Sequence, residues 1–90
     1  MLKIVASTRF KKDLKTAEKR GYDFSILRKV VNTLAAEEAL PPQNKDHALS
    51  GDYIGYRECH VAPDWLLIYK TDGEALELFL MRTGTHSDLF

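Results

Sequence analysis

One cysteine, Cys59, cannot bridge to itself, so no internal disulfide staples this fold. No other residue joins that thiol at zinc-motif spacing, and a small buried thiol on a strand is the expectation. Net charge is also missing, with thirteen Lys and Arg against thirteen Asp and Glu. That balance lacks the charge excess of a disordered chain and argues against strong binding to free RNA. Long apolar runs are absent, which excludes a membrane span. The opening Met1-Leu2-Lys3-Ile4-Val5 is too short for the apolar region of a secretory signal, so a cytoplasmic protein is expected. There is no internal repeat and no low-complexity tract.

What remains is 44% apolar and 29% charged over 90 residues, the composition of one globular domain, 1–90, with a single modest core. Its charges are unevenly placed. Residues 1–30 hold nine Lys and Arg against three acids, and residues 31–90 hold four against ten. A basic face at one end of the fold follows.

The stretch Gly55 to Lys70, GYRECHVAPDWLLIYK, reads as two strands folded back at Pro63. Tyr56, Glu58 and His60 alternate with Arg57, Cys59 and Val61 before the proline, and Trp65, Leu67 and Tyr69 alternate with Leu66 and Ile68 after it. Proline cannot donate to a ladder and keeps its predecessor extended, so Ala62-Pro63-Asp64 is the bend. His60, Asp64 and Trp65 therefore gather at one reversal.

Upstream, Lys3 to Ala6 is a short strand. Ser7 or Thr8 caps a helix over 8–20 that Gly21 ends. Phe10, Leu14 and Ala17 share its apolar face, with Lys11, Lys12, Lys15 and Lys19 opposite, either a solvated surface or a ridge that contacts phosphates. Asp23 caps a second helix with an apolar stripe of Ile26, Leu27, Val30, Val31 and Leu34, closed by Pro41-Pro42. Glu37 to Ser50, carrying Lys45-Asp46-His47, is a surface loop. Thr71-Asp72-Gly73 is a turn, and Glu74 to Met81 an interior strand that delivers Arg82 to its end. The order β-α-α-β-β-β implies an α+β domain, two N-terminal helices packed on one face of a small, largely antiparallel sheet.

His47, His60, Asp64, Arg82, Thr85 and His86 are the groups able to do chemistry. Three imidazoles and a guanidinium suit phosphoryl transfer on RNA: one histidine takes the 2′-hydroxyl proton, another protonates the departing 5′-oxygen, and the guanidinium stabilises the phosphate. Trp65 is either core or a platform on which an unpaired base stacks. His47, His60, His86 and Asp64 are also metal-ligand types, yet without compact spacing, so no metal and no cofactor are expected. Residue patterns alone stop at an α+β domain with a histidine-rich site.

The lysine-rich first helix, KDHALSG, GYRECHVAPDWLLIYK and RTGTHSDLF together resemble the YafQ-type toxins of the RelE/ParE superfamily, partners in bacterial type II toxin–antitoxin pairs. The resemblance spans essentially the whole chain. It implies a small ribonuclease-like α+β fold and ribosome-dependent cleavage of mRNA in the decoding site. It also implies a cognate antitoxin of the DinJ or RelB kind, with operator DNA met only through the toxin–antitoxin complex, and no membrane partner. Carried over by position, His86 is the general acid, His47 or His60 the base, Asp64 an orienting or proton-sharing group and Arg82 the phosphate stabiliser. Trp65, Phe90 and Lys45 would bind the nucleotide, and Lys11, Lys12, Lys15 and Lys19 the ribosome. The same superfold includes ParE-like toxins that act on DNA gyrase without cutting RNA, and a decayed toxin could serve only as a co-repressor; the retained histidine set favours the nuclease.

Overall fold

The computed structural model describes all residues, Met1 to Phe90. Strand β1 (Lys3–Ala6) leads into helix α1 (Thr8–Lys19) and helix α2 (Phe24–Ala35). Strands β2 (His47–Ala48), β3 (Arg57–Ala62), β4 (Trp65–Asp72) and β5 (Glu77–Gly84) follow, and a single turn of helix, α3 (His86–Leu89), closes the order. The sheet runs β1-β5-β4-β3-β2, with β1 parallel to β5 and every other pair antiparallel.

Local chemistry explains the helix ends. Ser7 accepts from the Phe10 amide at 2.9 Å and donates its hydroxyl to the Met81 carbonyl at 2.7 Å, capping α1 while tying it to β5. Gly21, at φ 76, ends α1, with its amide on the Glu18 carbonyl and that of Tyr22 on Ala17. Asp23 caps α2 by accepting from the Ser25 amide at 2.9 Å.

The stop of α2 differs from the sequence expectation. Glu37, a non-glycine residue at φ 59, ends the helix in the same hydrogen-bond pattern, well before Pro41-Pro42. The prolines instead open a 3-10 turn, Pro42–Asn44. The last strand also sits three residues later than expected, because Asp72 accepts from the amides of Glu74 and Ala75 and lengthens the turn. The loop after α2 is not wholly irregular either, since β2 joins the sheet edge.

Both helices cover one face of the sheet. Phe10, Ala17, Leu27, Val30, Val31 and Leu34 pack there against Cys59, Val61, Trp65, Leu67, Tyr69, Leu78 and Leu80. Burial pushes the Cys59 thiol up to about 12, so it is an inert core group. The opposite face has only a small cluster, Leu66, Ile68 and Leu89, bordered by Leu49, Tyr53, Tyr56 and Met81. His60, opposite Leu66, lies on that thinner side.

Candidate active site

The β3–β4 hairpin turns at Pro63-Asp64, and the pairing slips between His60 and Ala62. His60 pairs with Leu66, which places it on the face away from the helices. Asp64, in the turn, reaches the start of α3. Its Oδ1 accepts from the His86 amide at 3.2 Å and lies 2.8 Å from His86 Nδ1. An ionised carboxylate only accepts, so Nδ1 carries the hydrogen and Nε2 is the nitrogen left for proton transfer. The hydrogen bond from His86 holds the Asp64 carboxyl below its ordinary range. The His60 and His86 rings stand 5.8 Å apart at 63°. No hydrogen bond engages the His60 ring, while its carbonyl accepts from Asn44 at 2.6 Å.

Asp88 fixes the segment that carries His86. Its carboxylate accepts from the Thr85 amide at 2.9 Å, while Thr85 Oγ1 accepts from the Asp88 amide at 3.2 Å, a reciprocal cap. Arg20, at the end of α1, grips the same carboxylate with two contacts of 2.6 and 3.1 Å and holds it far below its ordinary pKa. Gly84 leaves room for this: a Cβ there would lie 2.8 Å from Asp88 Oδ2.

Arg82 is placed differently from expectation. It lies inside β5, with its side chain only 13% exposed, and both Nε (2.8 Å) and Nη2 (3.3 Å) donate to Asp13 on α1. Asp13 also accepts from the Thr83 amide at 3.1 Å, a β5 donor that β1 is too short to meet. Asp13 raises the Arg82 pKa, with the Tyr53 phenol adding to it. The guanidinium remains charged but already faces a carboxylate, one that Arg9 also approaches at 3.8 Å.

Trp65 is corrected as a stacking platform. It is 4% exposed, its ring packs on Tyr22 at 4.8 Å, and its N–H donates to Thr83 Oγ1 at 2.8 Å. The indole is core; only its edge helps Tyr22, Ile26 and Asp64 line a hollow of about 300 Å³. Phe90, by contrast, is 64% exposed and meets Tyr53 edge-on at 5.7 Å. Lys45 is exposed at the lip of a hollow of about 420 Å³ that it shares with Asn44, His60 and Pro63. Lys11, Lys12, Lys15 and Lys19 all face solvent on α1.

His47 stands apart from the His60, Asp64 and His86 group. It pairs with Glu58 across β2 and β3, with Nδ1 2.8 Å from the Lys45 carbonyl and Nε2 3.5 Å from Glu58 Oε1. Between them, Asp46 accepts from Arg57 Nε at 3.2 Å and from the Tyr69 hydroxyl at 2.6 Å, pinning the loop to the sheet. Glu58, Asp13, Asp88 and Tyr53 were not singled out in the sequence. Only Glu58 had a signal, its place in the Tyr56, Glu58, His60 alternation.

Comparison with known proteins identifies the family. Residues 2–90 match the family described as the bacterial toxin of a type II toxin–antitoxin system, YafQ. The mRNA interferase toxin YafQ of Escherichia coli K12 is 44% identical over 85 residues, covering 93% of this chain and 90% of that protein. A metal-bound toxin from Helicobacter pylori superposes with a TM-score of 0.94 at 49% identity, covering 100% of both chains. The E. coli DinJ-YafQ complex gives 0.90 at 42% identity, covering 100% of this chain and 99% of that one. With near-complete coverage in sequence and in structure, the chain belongs to the YafQ family of type II toxin–antitoxin toxins.

Proposed function

We propose that this chain is a ribosome-dependent endoribonuclease that cuts mRNA in the decoding site and so stops translation. The observation that carries the reading is the convergence of His60, Asp64 and His86, with two imidazole rings 5.8 Å apart and one of them oriented by a carboxylate. The relative YafQ of E. coli is an mRNA interferase. In this scheme His60, whose ring is unengaged, takes the 2′-hydroxyl proton. The 2′-oxygen attacks phosphorus, the bond to the 5′-oxygen breaks, and His86 Nε2 supplies the proton to that leaving oxygen. The products are a 2′,3′-cyclic phosphate and a 5′-hydroxyl end, with no metal taking part in the scheme. Arg82, steadied by Asp13, stabilises charge on the phosphate. Exposed Phe90 and Lys45 border the nucleotide, and the edge of Trp65 shapes the wall beside Asp64.

The site is shallow, which fits dependence on a second body that presents the mRNA with its 2′-hydroxyl in line. The lysines of α1 hold ribosomal RNA in this reading. One domain, 1–90, carries the activity in the cytoplasm, and a DinJ-like antitoxin neutralises it, as the E. coli pairing suggests. Operator DNA is met only through that complex.

The test is 5′-end mapping on one defined message, with and without translating ribosomes, for the wild type and His86→Ala. Cuts at a fixed codon position only on ribosomes, lost in the variant, are expected. An intact message in every lane would sink the nuclease reading.

A further inference from the structure

The segment that carries His86 has little of its own to hold it. Helix α3 has four residues, against the roughly 12–15 below which an isolated helix is marginal in water. His86 and Ser87 are exposed, and Leu89 is the one side chain of α3 that is buried. Helix α1 meets this segment at two points on one face. Asp13 and Arg20 are seven residues apart, close to two turns, so they project on the same side. Asp13 takes Arg82 and the Thr83 amide, and Arg20 takes Asp88. The run from Arg82 to Asp88 is therefore gripped at both ends, with His86 between them.

The two grips have opposite polarity, with the acid on α1 at the first and the base on α1 at the second. Sliding α1 by one turn would put Arg9 or Ala17 where Asp13 stands, which sets a like charge against Arg82 or leaves it unpaired. The charges thus fix the register of α1 against β5 and α3. At the second grip, Asp88 Oδ2 accepts from Arg20 Nη1 at 2.6 Å and from the Thr85 amide at 2.9 Å, while Oδ1 accepts from Arg20 Nη2 at 3.1 Å. One carboxylate joins the cap of α3 to the end of α1. Both groups are held charged, since Asp88 raises the Arg20 pKa and Arg20 lowers that of Asp88.

We propose that Arg20 is a positioning residue for His86, acting through Asp88 so that helix α1 sets where the imidazole stands. The inference rests on the nuclease reading and deepens it, because it gives a residue remote from the reacting atoms control over the group that protonates the leaving oxygen.

The experiment pairs long-range ¹H–¹⁵N spectra of the wild type and Arg20→Gln with cleavage on programmed ribosomes for Arg20→Gln, Arg20→Lys, Asp88→Ala and the Arg20→Gln/Asp88→Ala double variant. Arg20→Gln is expected to move the imidazole resonances of His86 while those of His47 stay in place. Its kcat should fall by about 10-fold, inside the roughly 10²-fold that a small misplacement of a reacting group costs, with KM unchanged. Its melting temperature should stay close to that of the wild type, because both partners of the bridge are partly exposed. Arg20→Lys keeps the charge without the two-pronged geometry and should recover part of the rate. In the Asp88→Ala background Arg20→Gln should add nothing. Unmoved His86 resonances, or a melting temperature that falls along with the rate, would overturn the inference. So would a loss carried by KM or repeated in full without Asp88, since Arg20 would then be meeting RNA directly. A wild type that never cuts would overturn the nuclease reading instead, and the His86 resonances would still decide whether Arg20 positions that ring.

Discussion

Replacing Asp64 by Asn isolates the charge that orients His86. Asn keeps an acceptor oxygen where Oδ1 stands, 2.8 Å from His86 Nδ1 and 3.2 Å from its amide, so the segment should hold its shape. What is lost is the ionic part of the bond, and charge-assisted hydrogen bonds are about twice as strong as neutral ones. A proton-transfer group contributes roughly 10²–10⁴-fold to a rate. Removing about half of that advantage on a logarithmic scale predicts cleavage slower by roughly 10–10²-fold. Both side chains are more than half exposed, so the melting temperature should stay that of the wild type. The pH dependence has a definite sign. The hydrogen bond from His86 holds Asp64 below the ordinary aspartate value in the folded protein, so the stability it contributes is complete above that ordinary value and is lost as pH falls through the folded pKa. Its ionisation cannot shape the rate near neutral pH. Single-turnover cleavage on programmed ribosomes, with thermal melts at neutral pH, reads both quantities. Wild-type speed in Asp64→Asn would refute the orienting role, and a large drop in melting temperature would show that the carboxylate is structural.

Two further outcomes follow from other parts of the fold. Glu37 sits exposed at φ 59, a conformation that disfavours side chains by about 1–2 kcal/mol. Glu37→Gly should therefore stabilise by about 0.5–1 kcal/mol after glycine's entropy is counted, which for a chain of this size raises the melting temperature by about 3–6 °C; no rise would mean that the carboxylate contributes more than the backbone strain removes. If α1 contacts ribosomal RNA, replacing Lys11 and Lys15 with Glu should weaken ribosome binding and flatten its dependence on salt, and sedimentation at several ionic strengths showing unchanged binding would return that face to solvent.

Much of the fold could be read from local chemistry. The hairpin bend at Pro63, the caps at Ser7 and Asp23 and the left-handed end at Gly21 all depend on residues within a few positions of one another, and the structure contains each. The end of α2 was misplaced because Pro41-Pro42 is a visible stop signal, whereas Glu37 in a left-handed conformation leaves no mark in a sequence. The site divides in the same way. Asp64 and His60 share a hairpin, so their company was legible, and RTGTHSDLF pointed to His86. The partners that decide how these groups behave lie far off in sequence: Asp13 under Arg82, Arg20 beneath Asp88, Tyr22 over Trp65. Helical or strand periodicity says which face a residue occupies, not which distant group waits there. The burial of Trp65 and of Glu58 depends on those tertiary neighbours too.

The sheet order also governs when this molecule can act. Strand β5 is the last of the five in the chain, yet it lies between β1 and β4. Until it inserts, β1 has no neighbour and the sheet exists only as the β2-β3-β4 portion. Arg82 arrives with that strand and His86 immediately after it. A nascent chain short of this strand has therefore neither the complete five-stranded sheet nor His86, and contacts spanning so much sequence form late. Arg82 and His86 therefore join the rest of the fold only once synthesis has passed His86.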